Sequence, residues 1–159
     1  MSSTVERPID RWFASYSSHH QNPANQAIHV FAVPLILWSV IALLWCIPVV
    51  GTWFRPGLWG ALAMFFAWTF YYRASRKLGY GMLVVFVVLA WLTRWLHDTL
   101  GTQQLLYLAI AIFVAAWIAQ FIGHKIERKK PSFLTDLTYL LIGPAWVLAK
   151  LYRKLGWSY

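Results

Sequence analysis

Four long apolar runs separated by short polar breaks dominate the chain: Ile28 to Val50, Gly57 to Tyr72, about Leu78 to Leu96, and Leu105 to Gly123. A helix needs about 20 apolar residues to cross the hydrocarbon core of a bilayer, so the first and last runs predict transmembrane helices directly. The second run is short, and the third reaches span length only by including Gly79 and Gly81. Both need tilt or a locally thinner bilayer. A fifth apolar stretch, Phe133 to Tyr152, carries Asp136 near its start and Gly143-Pro144 in its middle. Proline removes a helical hydrogen bond, and a full crossing would carry Lys150, Arg153 and Lys154 to the far side. The pattern therefore predicts an all-α, polytopic membrane protein of one domain, with four transmembrane helices and a C-terminal re-entrant or interfacial helical segment.

Composition agrees with this reading. The chain has 159 residues, of which 60% are hydrophobic and only 12% charged. The opening residues MSSTVERPIDRW are polar and mixed in charge, unlike a secretory signal, so insertion is expected to rest on the internal segments. A single cysteine, Cys46, excludes an intramolecular disulfide and argues against a cysteine-built metal site. The net charge of +9 sorts by side once the runs are threaded through a membrane. Arg7, Arg11, Arg73, Arg76, Lys77, Lys125, Arg128, Lys129, Lys130, Lys150, Arg153 and Lys154 share one side, against Arg55 and Arg94 on the other. That bias predicts cytoplasmic termini, in a bacterial inner membrane or the endoplasmic reticulum. No basic stripe runs beside exposed aromatics, which sets nucleic acid aside. Trp53, Trp59 and Trp95 lie near run ends, where interfacial rings are expected.

The topology also sorts the histidines. His19, His20 and His29 stand at the cytoplasmic entrance of the first run, and His124 at the cytoplasmic end of the fourth. His97 follows the third run, across the membrane. Pro23 disfavours helix at Asn22, which puts His20 on a loop, and Asn25 reads as the cap of a helix starting at Gln26. A loop folding back over that helix start is what lets His20 and His29 converge. In the second cluster Gln120, His124 and Glu127 are spaced i, i+4, i+7 and form one polar stripe on an apolar helix. Ionisable groups at membrane depth mark functional sites by default, and two such clusters at one end suggest a metal. Taken singly, each residue has a plainer use: His19 as an interfacial anchor, Gln120 as an interhelical donor, Asp136 as a cap, and Glu127 as the partner of Arg128 or Lys130.

Together the clusters HQNPANQAIH and QFIGHKIERKKPSFLTD resemble those of the 2-hydroxy fatty acid dioxygenases, over about residues 12–150. The resemblance implies an Fe(II)-dependent membrane enzyme that shortens a 2-hydroxy long-chain fatty acid by one carbon with O2 as co-substrate. It implies His20, His29 and His124 as ligands of one iron, with Asn25, Gln120, Glu127 and Asp136 as supporting or catalytic groups. Imidazole suits iron and zinc alike, and three histidines leave positions open for substrate and dioxygen. The basic run at Lys125 and Arg128 to Lys130 would draw an acidic lipid to the headgroup level. Five histidines are too few for the clusters of a membrane di-iron desaturase or hydroxylase, so a mononuclear centre is expected. A small membrane scaffold or lipid-binding protein is the non-enzymatic alternative.

Overall fold

The computed structural model describes residues 7–51, 53–127 and 133–159, with only the backbone described over 133–138. It is all-helical among these residues: α1 Pro8–Ser18, α2 Pro23–Trp45, α3 Leu58–Ala74, α4 Arg76–Leu100, α5 Thr102–Glu127 and α6 Phe133–Lys154. Three helices, α2, α4 and α5, have the length and apolar composition to cross a membrane. The second run becomes α3, at 17 residues only about 25 Å long at the 1.5 Å rise of a helix.

Short connections fold neighbouring helices back on each other. Gly101 alone joins α4 to α5, with a φ of 80° that favours glycine, and Ser75 alone joins α3 to α4. Ser75 is extended and its hydroxyl accepts from the Leu78 N–H, so the same residue ends one helix and caps the next. The closest pairing along the bundle is α2 against α5. Apolar side chains of α2 and α5, including Trp38, Ala42, Leu105 and Ala109 at one level and Ala32, Ile36 and Ala116 at another, fill that seam. Aromatic and aliphatic residues facing away from it, such as Phe31, Phe66, Val84, Trp91 and Ile118, are exposed and clothe the bundle in apolar surface.

Three elements differ from the sequence expectation. The opening segment forms α1, whose Ile9, Phe13 and Tyr16 fall on one face and are buried. Helix α2 begins at Pro23 rather than Gln26. Asn22, not Asn25, is its cap, accepting from the Ala24 N–H at 2.9 Å, with proline in the first turn where its missing donor costs nothing. Finally, α6 runs unbroken through Gly143-Pro144. Pro144 leaves the Leu140 carbonyl without its helical donor, and at the next carbonyl, that of Leu141, the buried Tyr71 hydroxyl of α3 donates at 2.6 Å.

Candidate metal centre

The centre is assembled where α1, the α1–α2 loop, α2 and α5 meet, under α6. His20 lies on the loop, as expected from Pro23, and is 2% exposed. His29 lies in the second turn of α2 and is 1% exposed, while His124 is partly buried on α5. One ring nitrogen from each of the three lies within 4.8 Å of the other two.

The hydrogen bonds of His20 and His29 fix which nitrogen faces the others. The Nδ1–H of His20 donates to the Tyr16 carbonyl at 2.7 Å, and that of His29 donates to the Asn25 carbonyl at 2.9 Å. A carbonyl only accepts, so in each neutral ring the proton sits on Nδ1 and the lone pair on Nε2. The two Nε2 atoms then face each other 3.1 Å apart. Two lone pairs at that distance repel unless a cation lies between them. Two imidazoles bound to one ion at about 2.1 Å, with an angle between tetrahedral and octahedral, stand roughly 3.0–3.4 Å apart, so the observed pair has the spacing of metal ligands. A backbone carbonyl holding the far N–H is also the usual support of a ligating histidine. Burial pushes the pKa of His20 down, the bond to the Tyr16 carbonyl opposes this, and neighbouring His124 adds to the lowering. At neutral pH the ring is thus in its neutral, metal-binding form. The donor set fits a metal ion.

Glu127 ties this arrangement together from three residues beyond His124. Its Oε1 accepts from the Gln21 N–H at 3.0 Å, and its Oε2 accepts from the Asn22 N–H at 2.9 Å and from Asn25 Nδ2 at 3.1 Å. The carboxylate therefore holds the loop that carries His20 and the residue whose carbonyl orients His29. Its expected rivals Arg128 and Lys130, and the side chain of Asp136, lie outside the described residues. Asn25 is fully buried against Gly123, where a Cβ would collide with its Oδ1.

Several supports carried no signal in the sequence. Tyr16 is buried, stacks on His20 with centroids 4.2 Å apart, and lies in the last turn of α1, where its carbonyl accepts from the His19 backbone N–H and from the His20 ring N–H. Any residue type offers that carbonyl, which is why no motif marks it. Lys150 of α6 donates to Gln26 Oε1 at 2.5 Å, and Gln26 Nε2 donates to the His20 carbonyl at 2.7 Å. Trp146, also of α6, is buried and donates to Ser17 Oγ at 3.0 Å. Thus α6 also clamps the loop, through Gln26 and Ser17 at its two ends.

A cavity of about 30 Å³ opens beside the histidines, lined among others by Gln120, Trp117, Val33, Ile36 and Leu140. It has room for an ion with a water or two. Gln120 is 9% exposed and lies one turn from His124, as its spacing predicts. His19 is exposed and bonds the Ser15 carbonyl at 2.9 Å, away from the ring cluster. His97 bonds Thr102 Oγ1 at 3.0 Å, and Thr102 opens α5, 22 residues and about 33 Å before His124.

The Mpo1-like family, described as 2-hydroxy-palmitic acid dioxygenase Mpo1-like, matches residues 7–155. The chain belongs to this family. The match takes in both histidine clusters, the clamp on α6 and the three helices long and apolar enough to cross a membrane among the described residues. Among characterised Mpo1-like proteins, the chain is similar to the 2-hydroxy-palmitic acid dioxygenase of Saccharomyces cerevisiae, at 27% identity over 145 residues, which cover 89% of this chain and 78% of the yeast protein. No solved structure matches it significantly.

Proposed function

We propose that this Mpo1-like protein is an Fe(II)-dependent membrane dioxygenase that shortens 2-hydroxy long-chain fatty acids by one carbon, with O2 as co-substrate. The observation that carries the reading is the pair of Nε2 lone pairs held face to face at 3.1 Å, with His124 completing a three-nitrogen face. The name of the family and of the yeast relative supplies the substrate class and favours iron over zinc. Bound there, Fe(II) would supply the open coordination positions and the redox chemistry that oxidative cleavage between C1 and C2 requires.

The chain's own residues do the rest. His20, His29 and His124 hold the ion. Glu127 and the backbone of Asn25 keep two of the rings in register, and Asp136, on the α6 segment that follows, is assigned a supporting role. Gln120 stands in the cavity wall with an amide that can donate to an oxygen of the acid. The cavity is far too small for a long acyl chain, so the tail must leave along Val33, Ile36, Leu37 and Leu140 toward the bilayer. The carboxylate end stays near the basic end of the bundle, in a membrane crossed by α2, α3, α4 and α5 with both termini cytoplasmic.

Detergent-purified protein, loaded with Fe(II), is incubated with 2-hydroxyhexadecanoic acid under air and under nitrogen, and the acid one carbon shorter is followed by mass spectrometry. Product is expected under air alone. His20→Ala, His29→Ala and His124→Ala should each lower bound iron and product sharply, and His19→Ala should lower neither. Equal product under nitrogen would exclude an oxygenase. Full iron occupancy without product at any chain length would hand the function to the lipid-binding alternative.

A further inference from the structure

Helix α6 ends in a turn that folds the chain back onto α4. The Gly156 N–H donates to the Arg153 carbonyl at 3.1 Å and the Trp157 N–H to the Tyr152 carbonyl at 2.8 Å, with Gly156 at a φ of 72° that favours glycine. This stop sends Trp157 back against Tyr152, with ring centroids 5.8 Å apart. Tyr152 passes α4 at Gly81, where a Cβ would collide with its hydroxyl, and that hydroxyl donates to the Lys77 carbonyl at 3.1 Å. Lys77 Nζ reaches back to Ser158 Oγ at 2.6 Å. Between them the two helix ends form a groove of about 540 Å³, lined by Lys77, Tyr80, Tyr152, Gly156, Trp157 and Ser158 and separate from the cavity at the histidines.

The groove is both cationic and amphipathic. An ammonium carries three N–H donors, and Ser158 takes one of those of Lys77. Arg76, Arg153 and Lys154 flank the lining residues in sequence and are exposed, while no Asp or Glu occurs over residues 73–97 or 137–159. Asp10 of α1, brought toward the end of the chain by Arg7, is paired with Arg7 at 2.8 Å. Lys77 lies in the first turn of α4, a helix long and apolar enough to cross a membrane, so the groove stands where that helix enters the bilayer, level with lipid phosphates. Tyr80 and Trp157 are exposed there, and rings with one polar edge are the side chains that settle at that level. A soluble anion would use the cation and leave the rings in water. A lipid uses both.

We propose that this groove is a binding site for one anionic phospholipid, whose phosphate sits on the Lys77 ammonium beside Ser158 and whose glycerol and upper acyl chains lie against Tyr80 and Trp157. The site is independent of the reaction, so its failure leaves the dioxygenase reading standing.

The test counts retained lipids. Detergent-purified protein is exchanged into micelles holding equal amounts of phosphatidylglycerol and phosphatidylcholine, and native mass spectrometry measures what each variant keeps. Wild type should keep a single phosphatidylglycerol, preferred about fivefold or more over phosphatidylcholine, the scale of one lysine beside an anionic lipid. Lys77→Gln should abolish the preference. Trp157→Ala leaves every charge in place and should lower retention of phosphatidylglycerol as well. Arg11→Gln removes an exposed cation of α1 outside the groove and should change neither quantity. Because two lipids compete for each protein, a general loosening of the fold weakens both and leaves their ratio unchanged. Wild type without the preference overturns the proposal. Wild-type behaviour in either groove variant, or a loss in Arg11→Gln equal to that in Lys77→Gln, overturns it in favour of diffuse attraction. Displacement of the lipid by millimolar glycerol phosphate would make a soluble phosphoester the occupant, and overturns it too.

Discussion

A carboxylate that holds the loop beside the candidate ligands governs the site's geometry at the scale of single residues. Glu127 gathers two loop N–H groups and the Asn25 amide, so one side chain of α5 fixes the loop bearing His20 and the carbonyl orienting His29. Replacing Glu127 by Gln keeps the shape but presents an NH2 group to groups that are all donors. Iron affinity should fall about 10- to 100-fold in Glu127→Gln, the range for groups that orient ligands. Competition with a metallochromic chelator reads this directly. Glu127→Asp keeps the charge and should recover part of the loss. A Glu127→Gln protein with wild-type affinity would mean that the loop holds its place without the carboxylate. The stripe Gln120, His124, Glu127 was legible from spacing alone, but spacing gives a face and not a partner. It leaves Arg128 and Lys130 as reasonable as the loop N–H groups that Glu127 in fact binds.

Between elements, the decisive contact is the approach of α2 to α5 at Gly123. A Cβ there would strike the Asn25 side chain, which cannot turn aside without releasing Glu127. Gly79 makes a comparable approach between α4 and α3, where a Cβ would lie 2.6 Å from Tyr72 Cα, but neither of those helices carries a ligand. Gly123→Ala and Gly79→Ala should therefore cost similar stability, about 1–3 kcal/mol as for other overpacked sites, by equilibrium unfolding in mixed micelles. Only Gly123→Ala should also lose iron. Equal iron loss in both would mean that metal binding follows global stability rather than this contact. The glycines themselves gave no such warning in the sequence, since close packing depends on the facing helix. The elements were mostly legible: the apolar runs fall within a few residues of α2 to α5, and the break at Pro23 placed His20 on its loop. Helix α1 was missed although Ile9, Phe13 and Tyr16 fall on one face, because its polar positions hide that stripe in an average over the segment. Pro144 was overvalued as a breaker, because it removes only the bond to the Leu140 carbonyl while Ile142, Ala145 and Trp146 on either side of it are packed into the core of the bundle.

For the whole molecule, the open quantity is how many helices cross the bilayer, and it turns on α3. At about 25 Å it is shorter than a typical hydrocarbon core of about 30 Å. The bundle nevertheless sets its two ends apart. The Arg7 guanidinium donates to the Tyr159 carbonyl at 2.6 Å, and Lys77 Nζ donates to Ser158 Oγ at 2.6 Å, so both ends of the chain meet the α3–α4 junction. The start of α3 is elsewhere, with Trp59 Nε1 donating to the Pro48 carbonyl just beyond the far end of α2. If α3 did not cross, the α2–α3 connection and Lys77 would share a compartment, and everything from Arg73 onward, including His124 and the basic cluster at Lys150 to Lys154, would be divided from Arg7, Arg11 and His20. A bilayer locally thinned around a 17-residue helix costs only fractions of a kcal/mol per Å, far less than exporting those charges. In a Cys46→Ser background, Lys77→Cys and Ser158→Cys should resist a membrane-impermeant maleimide in intact cells and react after permeabilisation. Arg94→Cys should react from outside at once. His97→Ala, in the last turn of α4, should retain its iron. Labelling of Lys77→Cys from outside while Arg11→Cys stays protected would show that α3 does not span, and would place the two halves of the basic end in different compartments.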